Sequence, residues 1–218
     1  DLLVIKQMWP QTACWNINHI WTNKSNECSP CSLPLAKHQW TLHGLWPSNS
    51  KGSHPFYCNN NVKFNRNLLG KELIDQMEEK WMTLDLDTDN EVFWRHEWNK
   101  HGTCAMNLPS TDSMSKYFIK AIQLLNQYNA GRILAEAGIL PGGTYAYRDV
   151  VSAVEESLGV KVNVGCAKHS MSKKSYLHEM GVCFNTWFEL VDCPYGKNYC
   201  KEEVLYPKTR DECQRFYP

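Results

Sequence analysis

The sequence lacks an excess of charge of either sign. It has 23 Lys and Arg against 23 Asp and Glu, so the formal net charge is zero at pH 7. This balance argues against binding long duplexes through a broad basic surface, but it allows a small site for one or two phosphates. No apolar run approaches 18 residues, which argues against a transmembrane helix. Residues 1–10 lack the basic stretch and apolar segment of a signal peptide, so we expect a mature start.

Several catalytic motifs are also missing. The chain has no GxSxG, no P-loop and no paired-carboxylate layout typical of a glycosidase. Only Cys28 and Cys31 form a CxxC, and no second CxxC completes a zinc cage. His96 and His101 form HExxxH rather than HExxH, so they lie about 140° apart on a helix and converge poorly on one metal. We therefore expect neither a metal nor another cofactor.

The chain has ten cysteines, a high and even number for 218 residues. They are scattered along the sequence, and the one CxxC encloses Ser29-Pro30 between polar loops rather than opening a helix. Structural disulfides and an oxidising compartment are therefore favoured over redox or metal chemistry. Asn23 begins an Asn-Lys-Ser sequon, which such a compartment makes usable for N-glycosylation.

Hydrophobic periodicity predicts strands near both ends of the chain and helices in the middle. Alternation predicts strands over 2–9, 38–43, 161–166, 175–184 and 186–192. Helical spacing predicts helices over about 66–82, 91–101, 114–129, 131–137 and 147–158. Gly44 and Pro47 predict a turn, which would leave His43 at a strand end, and the tail is expected to be loop. Without repeats or a clean linker, residues 1–218 are expected to form a single α+β domain, with helices packed around a disulfide-stapled sheet.

The stretch 93–104, FWRHEWNKHGTC, gives the strongest functional signal. On a helix, His96, Glu97, Lys100 and His101 span an arc of roughly 140°, and Phe93 falls inside it. A face that only packs would not carry four ionisable groups, since each is costly to bury unpaired. The alternative is a solvated face with a Glu97–Lys100 pair, which would contribute only a few tenths of a kcal/mol.

His43 would complete an acid–base site if it faced this helix across a cleft. One neutral imidazole can take a proton while a charged one returns it. Lys100 suits a phosphoryl oxygen, where negative charge builds in the transition state. These parts fit attack on a phosphodiester by an internal nucleophile, which RNA supplies as its 2′-hydroxyl and DNA lacks.

Two segments, WTLHGLWP (40–47) and FWRHEWNKHGTC (93–104), resemble the active-site signatures of the ribonuclease T2 family. The opening QMWP, several cysteine positions and the closing Phe216-Tyr217-Pro218 are similar to its animal branch, so the resemblance spans essentially the whole chain. It implies an α+β fold around a central antiparallel sheet. It also implies a metal-independent, secreted or lysosomal/vacuolar endoribonuclease that cleaves single-stranded RNA with low base specificity, through a 2′,3′-cyclic phosphate to a 3′-phosphate.

The resemblance also implies a role for each polar residue of the site. His101 matches the general base that takes the 2′-hydroxyl proton, and His43 matches the general acid for the 5′-leaving oxygen. His96 matches a phosphate-binding histidine. Glu97 and Lys100 match the pair that stabilises the pentacovalent intermediate. Because all five positions are filled, the sequence shows no sign of a dead enzyme.

The resemblance to base-binding positions is less complete. Trp46 and Phe93 match aromatic walls on which bases stack. Ser48 stands where some members carry an Asp that reads adenine, and Met8 stands where plant members can carry a Gln. Base preference is therefore open.

The resemblance further implies most of the disulfide pairing. It suggests Cys58–Cys104, Cys166–Cys213 and Cys183–Cys193. Cys14 is then expected to pair with Cys31 or Cys28 and the remaining one with Cys200; we take Cys14–Cys31 and Cys28–Cys200.

These inferences give single-stranded RNA as the expected partner, with no DNA, no membrane and a monomeric chain. The rival hypothesis is a secreted recognition protein whose biological effect does not need cleavage. The intact polar set favours a working enzyme, and a two-histidine mechanism predicts a bell-shaped pH–rate profile.

Overall fold

The computed structural model describes residues 2–14, 38–49, 54–85, 87–168, 174–194 and 200–208. Its elements in chain order are β1 (Leu2–Met8), β2 (Thr41–Ser48), α1 (Lys71–Lys80), α2 (Asn90–Lys100), α3 (Met114–Gln127), α4 (Ala130–Glu136), β3 (Thr144–Ala146), α5 (Tyr147–Leu158), β4 (Asn163–Lys168), β5 (Ser175–Asn185), β6 (Leu190–Val191) and β7 (Glu203–Leu205). Residues 10–14 form a helical turn, and 3₁₀ turns occupy Arg66–Leu68 and Gly102–Cys104. The predicted α+β class is confirmed.

One sheet connects both ends of the described chain, and β5 is its centre. β5 pairs antiparallel with β1, β4 and β6, and parallel with β7. The path through the sheet runs β2-β1-β5-β7-β3. The expected antiparallel sheet is therefore right for most pairs, but the sheet is mixed. The tail is not all loop, because β7 joins the sheet; β6 is also much shorter than the strand predicted over 186–192.

Strand β2 is longer than predicted and carries His43 within it. Residues 44–47 continue the pairing with β1, from Lys6↔Gly44 to Leu3↔Pro47, instead of turning. In the described part of the sheet β2 is an edge strand, where a proline without an N–H is tolerated. The register shifts between the partners of Lys6 and Gln7, which leaves His43 as the extra residue of a β-bulge. The prediction that His43 lies at a strand end is wrong.

The helices pack on the sheet through a core rich in aromatic rings. Leu42 and Leu45 of β2 are fully buried in this core. Five large side chains from the helical region join them with no exposed surface: Trp81, Trp94, Trp98, Tyr117 and Phe118. Burying each such side chain contributes on the order of 1.5–3 kcal/mol. Within the ranges described, no helix has the length and apolar character that a membrane span requires.

The disulfides agree with the expected pairing in two cases and correct it in two. Cys58–Cys104 and Cys183–Cys193 are present as expected. Cys166 on β4 pairs instead with Cys200, at a Cα–Cα distance of 5.2 Å, because β7 brings residue 200 back beside β5 and its neighbour β4. A cysteine forms only one bridge, so the expected Cys166–Cys213 and Cys28–Cys200 pairs are both wrong.

The remaining cysteine predictions are only partly within reach of the structure. Cys14 is disulfide-bonded. Its expected partner Cys31 lies outside the described residues, as do Cys28, Cys213 and the sequon at Asn23. The Cys14–Cys31 pair stays a prediction.

Candidate active site

The bulge in β2 determines where His43 stands. It interrupts the alternation of the strand, so His43 and Trp46 are both half-buried while Leu42 and Leu45 point into the core. The His43 and Trp46 rings meet edge to face, with centroids 4.8 Å apart. The Trp81 indole N–H donates to the carbonyl oxygen of His43 at 2.9 Å and fixes the backbone of the bulge. The sheet therefore holds this imidazole on its surface rather than on a loop.

Helix α2 supplies the other polar groups of the site. Asp89 caps its first turn by accepting the N–H of Val92 at 2.7 Å. The helix ends at Lys100, and His101 is its C-cap, with its N–H still bonded to the carbonyl of Glu97 at 3.0 Å. The predicted helix over 91–101 is thus nearly right, and His101 keeps a helical position.

The helical face predicted to carry the chemistry is graded from core to solvent. Glu97 and His101 lie on its buried side, at 2% and 4% exposure. His96 is exposed, and Phe93 and Lys100 are half-buried. The structure therefore offers the outer groups directly to a ligand, while Glu97 and His101 form the floor of the site.

Trp46 joins the two segments into one site. Its ring stacks on the His101 imidazole with centroids 5.0 Å apart and planes 25° apart. Its indole N–H donates to the Glu97 carboxylate at 2.8 Å. Since Trp46 also contacts His43, a single side chain touches both histidines expected to move protons. The juxtaposition predicted from the sequence is present.

His43 has a carboxylate partner that sequence reasoning missed. Its Nδ1 lies 2.6 Å from Glu179 Oε1, and Lys6 Nζ lies 3.1 Å from Glu179 Oε2. Burial lowers the pKa of His43, but the hydrogen bond and charge of Glu179, with help from Glu97, outweigh it and raise the pKa above 6.5. The charged imidazolium is therefore favoured at this position. Glu179 itself stays ionised, since Lys6 and His43 hold its pKa well below its usual range despite burial.

His101 experiences the opposite environment. Its Nδ1 is buried and has no hydrogen-bond partner among the residues described. Burial, and after it the charges of Lys100, His96, His43 and His54, lower the pKa of His101 to about 3. The neutral imidazole is therefore favoured over most of the pH range, in contrast to His43.

Glu97 and His96 are also shifted. Burial raises the pKa of Glu97 to about 7, against the opposing effects of His43, Trp46 and Lys100. Partial burial and the charge of Lys100 lower the pKa of His96. Near neutral pH, Glu97 is thus present in both protonated and ionised forms.

Aromatic side chains border this polar centre. The Phe93 ring lies 6.5 Å from His43. Phe56, which is 53% exposed, meets His101 edge to face at 5.9 Å and lies 5.5 Å from Lys100 Nζ. His54 lies between Phe56 and Trp46, at 6.4 Å from each ring. Sequence reasoning did not place Phe56 or His54 at the site, because residues 48–65 show no periodicity to orient them.

Gly44 is a further residue whose role sequence reasoning missed. A Cβ at this position would overlap both Glu97 Oε2 and Trp46 Nε1. Only glycine leaves room for their hydrogen bond. The order His43-Gly44-Leu45-Trp46 carries this signal, but Gly44 with Pro47 also predicts a turn, and the structure has none there.

Metal ligation has no obvious centre in this part of the molecule. Within the described ranges, no group of three or more His, Cys, Asp or Glu side chains is arranged to hold a metal ion. Of the two histidines in the HExxxH segment, His96 is exposed and His101 is buried.

Comparison with known proteins decides the family. The model described as "Ribonuclease T2 family" matches residues 1–193. The chain belongs to the ribonuclease T2 family. Ribonuclease Oy of Magallana gigas is 36% identical to it over 216 residues, covering 94% of this chain and 95% of that relative. Extracellular ribonuclease LE of Solanum lycopersicum is 29% identical over 211 residues, covering 95% of this chain and 86% of the relative.

A solved ribonuclease supports the same assignment by its fold. The crystal structure of a ribonuclease MC1 mutant in complex with 5′-GMP matches with a TM-score of 0.77 at 27% identity, covering 94% of this chain and 99% of the other. This ribonuclease T2 family member is accordingly an endoribonuclease. The family expected from the two signature segments is confirmed.

Proposed function

We propose that this ribonuclease T2 member cleaves single-stranded RNA without a metal, by transfer of the phosphate to the neighbouring 2′-hydroxyl. In the first step the 2′-oxygen bonds to phosphorus and the bond to the 5′-oxygen breaks. The 2′-hydroxyl proton goes to one imidazole, and the 5′-oxygen takes a proton from another. In the second step water opens the 2′,3′-cyclic phosphate to a 3′-phosphate, with the two proton transfers reversed.

His101 is the base in this proposal. A base must start neutral, and the lowered pKa of His101 keeps it so over most of the pH range. In this proposal the phosphate binds beside the cationic groups that lower this pKa. A bound phosphodiester would offset their charge and raise the proton affinity of His101 when it takes the proton.

His43 is the acid. An acid must start protonated, and Glu179 favours the charged imidazole. Because Nδ1 is engaged by Glu179, Nε2 is the ring atom left to donate a proton to the leaving oxygen.

Lys100, His96 and Glu97 bind the phosphate and stabilise the intermediate. Lys100 and the exposed His96 lie on the outer side of the helix face, where a backbone phosphate can reach them. Glu97 is held in place by Trp46 and can be protonated near neutral pH. In its protonated form it donates a hydrogen bond to a phosphoryl oxygen, where an ionised carboxylate would repel it.

Trp46 and Phe93 border the base sites in this proposal. Both rings lie beside His43, so bases on either side of the scissile phosphate come within their reach. One face of Trp46 is already covered by His101, which leaves its other face and edge for a base. The ribonuclease MC1 mutant with this fold was solved with a nucleotide, 5′-GMP, bound to it.

The observation that carries the proposal is the opposite shift of two neighbouring imidazoles. His43 and His101 both contact Trp46, yet one is favoured as a cation and the other as a neutral base. Paired titratable groups whose environments push their pKa values apart are typical of acid–base catalysis.

The remaining properties of the protein are part of the same proposal. We infer secretion or delivery to a lysosomal or vacuolar lumen, since the disulfides require an oxidising compartment and one relative is named extracellular. Residues 1–218 act as one domain and as a monomer, with a glycan site at Asn23.

Digestion in EDTA of matched single-stranded RNA and DNA tests the proposal. Cleavage of RNA alone, with a 2′,3′-cyclic end that later becomes a 3′-phosphate, is the expected result. His43→Phe and His101→Phe should each lower this activity by at least about 100-fold. Loss of activity in EDTA that added metal restores, or cleavage of the DNA, would contradict the mechanism.

A further inference from the structure

Glu179 is the only carboxylate that the described structure places in direct contact with His43. It lies on β5, and its side chain is 18% exposed. Each of its oxygens has a partner, since Oε1 is 2.6 Å from His43 Nδ1 and Oε2 is 3.1 Å from Lys6 Nζ. The three side chains therefore form a chain of contacts that leads away from the reacting phosphate.

Three neighbouring strands hold this chain of contacts. His43 belongs to β2, Lys6 to β1 and Glu179 to β5, and β1 lies between the other two. Because paired strands are about 4.8 Å apart, the His43–Glu179 contact spans the width of β1. The bulge at His43 makes this reach possible, because it displaces the histidine from the regular register. The Lys6 side chain lies over Gly181, two residues after Glu179 on β5. Because Gly181 has no side chain, nothing there obstructs Lys6.

We propose that Glu179, held by Lys6, is a positioning residue that orients the His43 imidazole and stabilises its protonated form for proton donation from Nε2. This inference rests on the acid role proposed above for His43. In the first step His43 gives its Nε2 proton to the 5′-oxygen. It keeps its Nδ1 proton, which it donates to Glu179 in a hydrogen bond. In the second step His43 takes a proton from water, and the carboxylate stabilises the cation that forms.

Substitutions of Glu179 and Lys6 should shift the alkaline limb of the pH–rate profile in opposite directions. Glu179 and Glu97 raise the pKa of His43, whereas Lys6 lowers it. His96, His101 and His178 are the other titratable groups that interact with His43. Glu179→Gln should therefore move the alkaline limb of the pH–rate profile to lower pH, and Lys6→Gln should move it to higher pH. A purely structural role would produce no such opposite pair.

The leaving group provides a second and independent readout. A dinucleoside phosphate needs a proton on its departing 5′-oxygen. In a nucleoside 3′-(4-nitrophenyl phosphate), the leaving group is 4-nitrophenolate, which is stable without a proton. On the alkaline limb, Glu179→Gln should lower kcat for the dinucleoside phosphate by about 10-fold or more, part of the 10²–10⁴-fold typical of general acid catalysis. It should change kcat for the aryl ester by less than about 3-fold.

Controls separate this inference from the proposed function. Glu189→Gln removes an exposed carboxylate beyond the end of β5 and should leave both substrates and the pH profile unchanged. Glu179→Asp keeps the charge, so the alkaline limb should stay near its wild-type pH. This variant tests the positioning role if Glu179→Gln fails to fold. If His43→Phe spares the aryl ester but Glu179→Gln slows both substrates equally, the positioning role is overturned and the acid role stands. If His43→Phe slows both substrates equally, the acid role itself is wrong.

Discussion

Replacing Glu97 by glutamine should make the protein more stable at neutral pH. Glu97 is 2% exposed, and the indole N–H of Trp46 donates a hydrogen bond to its carboxylate. Glutamine has nearly the same shape and keeps an oxygen that accepts this hydrogen bond. The substitution therefore removes the ionisable carboxyl without opening a cavity.

The magnitude follows from the pKa of Glu97. It rises from 4.5 to about 7 on folding, because burial disfavours the ionised carboxylate. A group whose pKa is raised in the folded state contributes stability that is fully present below pH 4.5 and is lost as the pH rises through 7. At 1.36 kcal/mol per pH unit, this loss is about 3 kcal/mol in the wild type. Glutamine cannot ionise, so Glu97→Gln should avoid it.

Urea unfolding at pH 4.5 and pH 8, with the disulfides intact and tryptophan fluorescence as the signal, measures the effect. The difference in unfolding free energy between variant and wild type should grow by about 3 kcal/mol between the two pH values. The difference isolates Glu97, because the other titrating groups are common to both proteins. Glu189→Gln serves as the matched exposed control. Equal pH dependence of the unfolding free energy in wild type and Glu97→Gln would refute the argument.

Three further predictions concern the groups around this carboxyl and the revised disulfide. Gly44→Ala should lower kcat/KM by at least about 10-fold and the unfolding free energy by about 1–3 kcal/mol, because the added methyl group displaces the Trp46–Glu97 hydrogen bond. Wild-type values in rate and urea assays would show that the structure accommodates the methyl group in another way. Trp46→Phe should keep a ring beside both histidines but leave Glu97 without its donor, so initial rates should fall while the circular dichroism spectrum is retained; an unchanged rate would mean that the indole N–H is dispensable. Peptide mapping without reduction should link Cys166 to Cys200, and replacing both by serine should lower stability by about 4 kcal/mol for their separation of 34 residues; a peptide that joins Cys166 to a different cysteine would contradict the structure.

Helices and their ends could be predicted where the sequence carries local signals for them. The helix predicted over 147–158 has those bounds, because Gly159 ends it in the left-handed conformation at a φ of 71°. The helix predicted over 114–129 begins at Met114, because Ser113 caps it. Buried apolar positions at helical spacing and a capping residue are local signals, so no knowledge of the tertiary fold was needed.

The site was harder to predict where its geometry depends on pairing between distant strands. A histidine followed by glycine and proline suggests a turn, but β1 draws residues 44–47 into the sheet and leaves His43 in a bulge. No local pattern announces that bulge. The Glu179 partner was missed for the same reason, since β1 separates its strand from β2. A carboxylate inside the largely buried strand β5 was the available signal that this position has a partner.

The most direct test of the two-histidine account is the pH dependence of kcat/KM for a dinucleoside phosphate, which reports the groups of the free enzyme. His101, with a pKa of about 3, sets the acid limb. The alkaline limb follows loss of the proton from His43, whose pKa is raised above 6.5, and from Glu97, whose pKa is about 7. The account predicts a bell whose acid limb lies near pH 3 and whose rate falls only above pH 6.5. A rate that rises steadily from pH 5 to pH 8 would contradict the assignment of His101 as the neutral base and His43 as the charged acid.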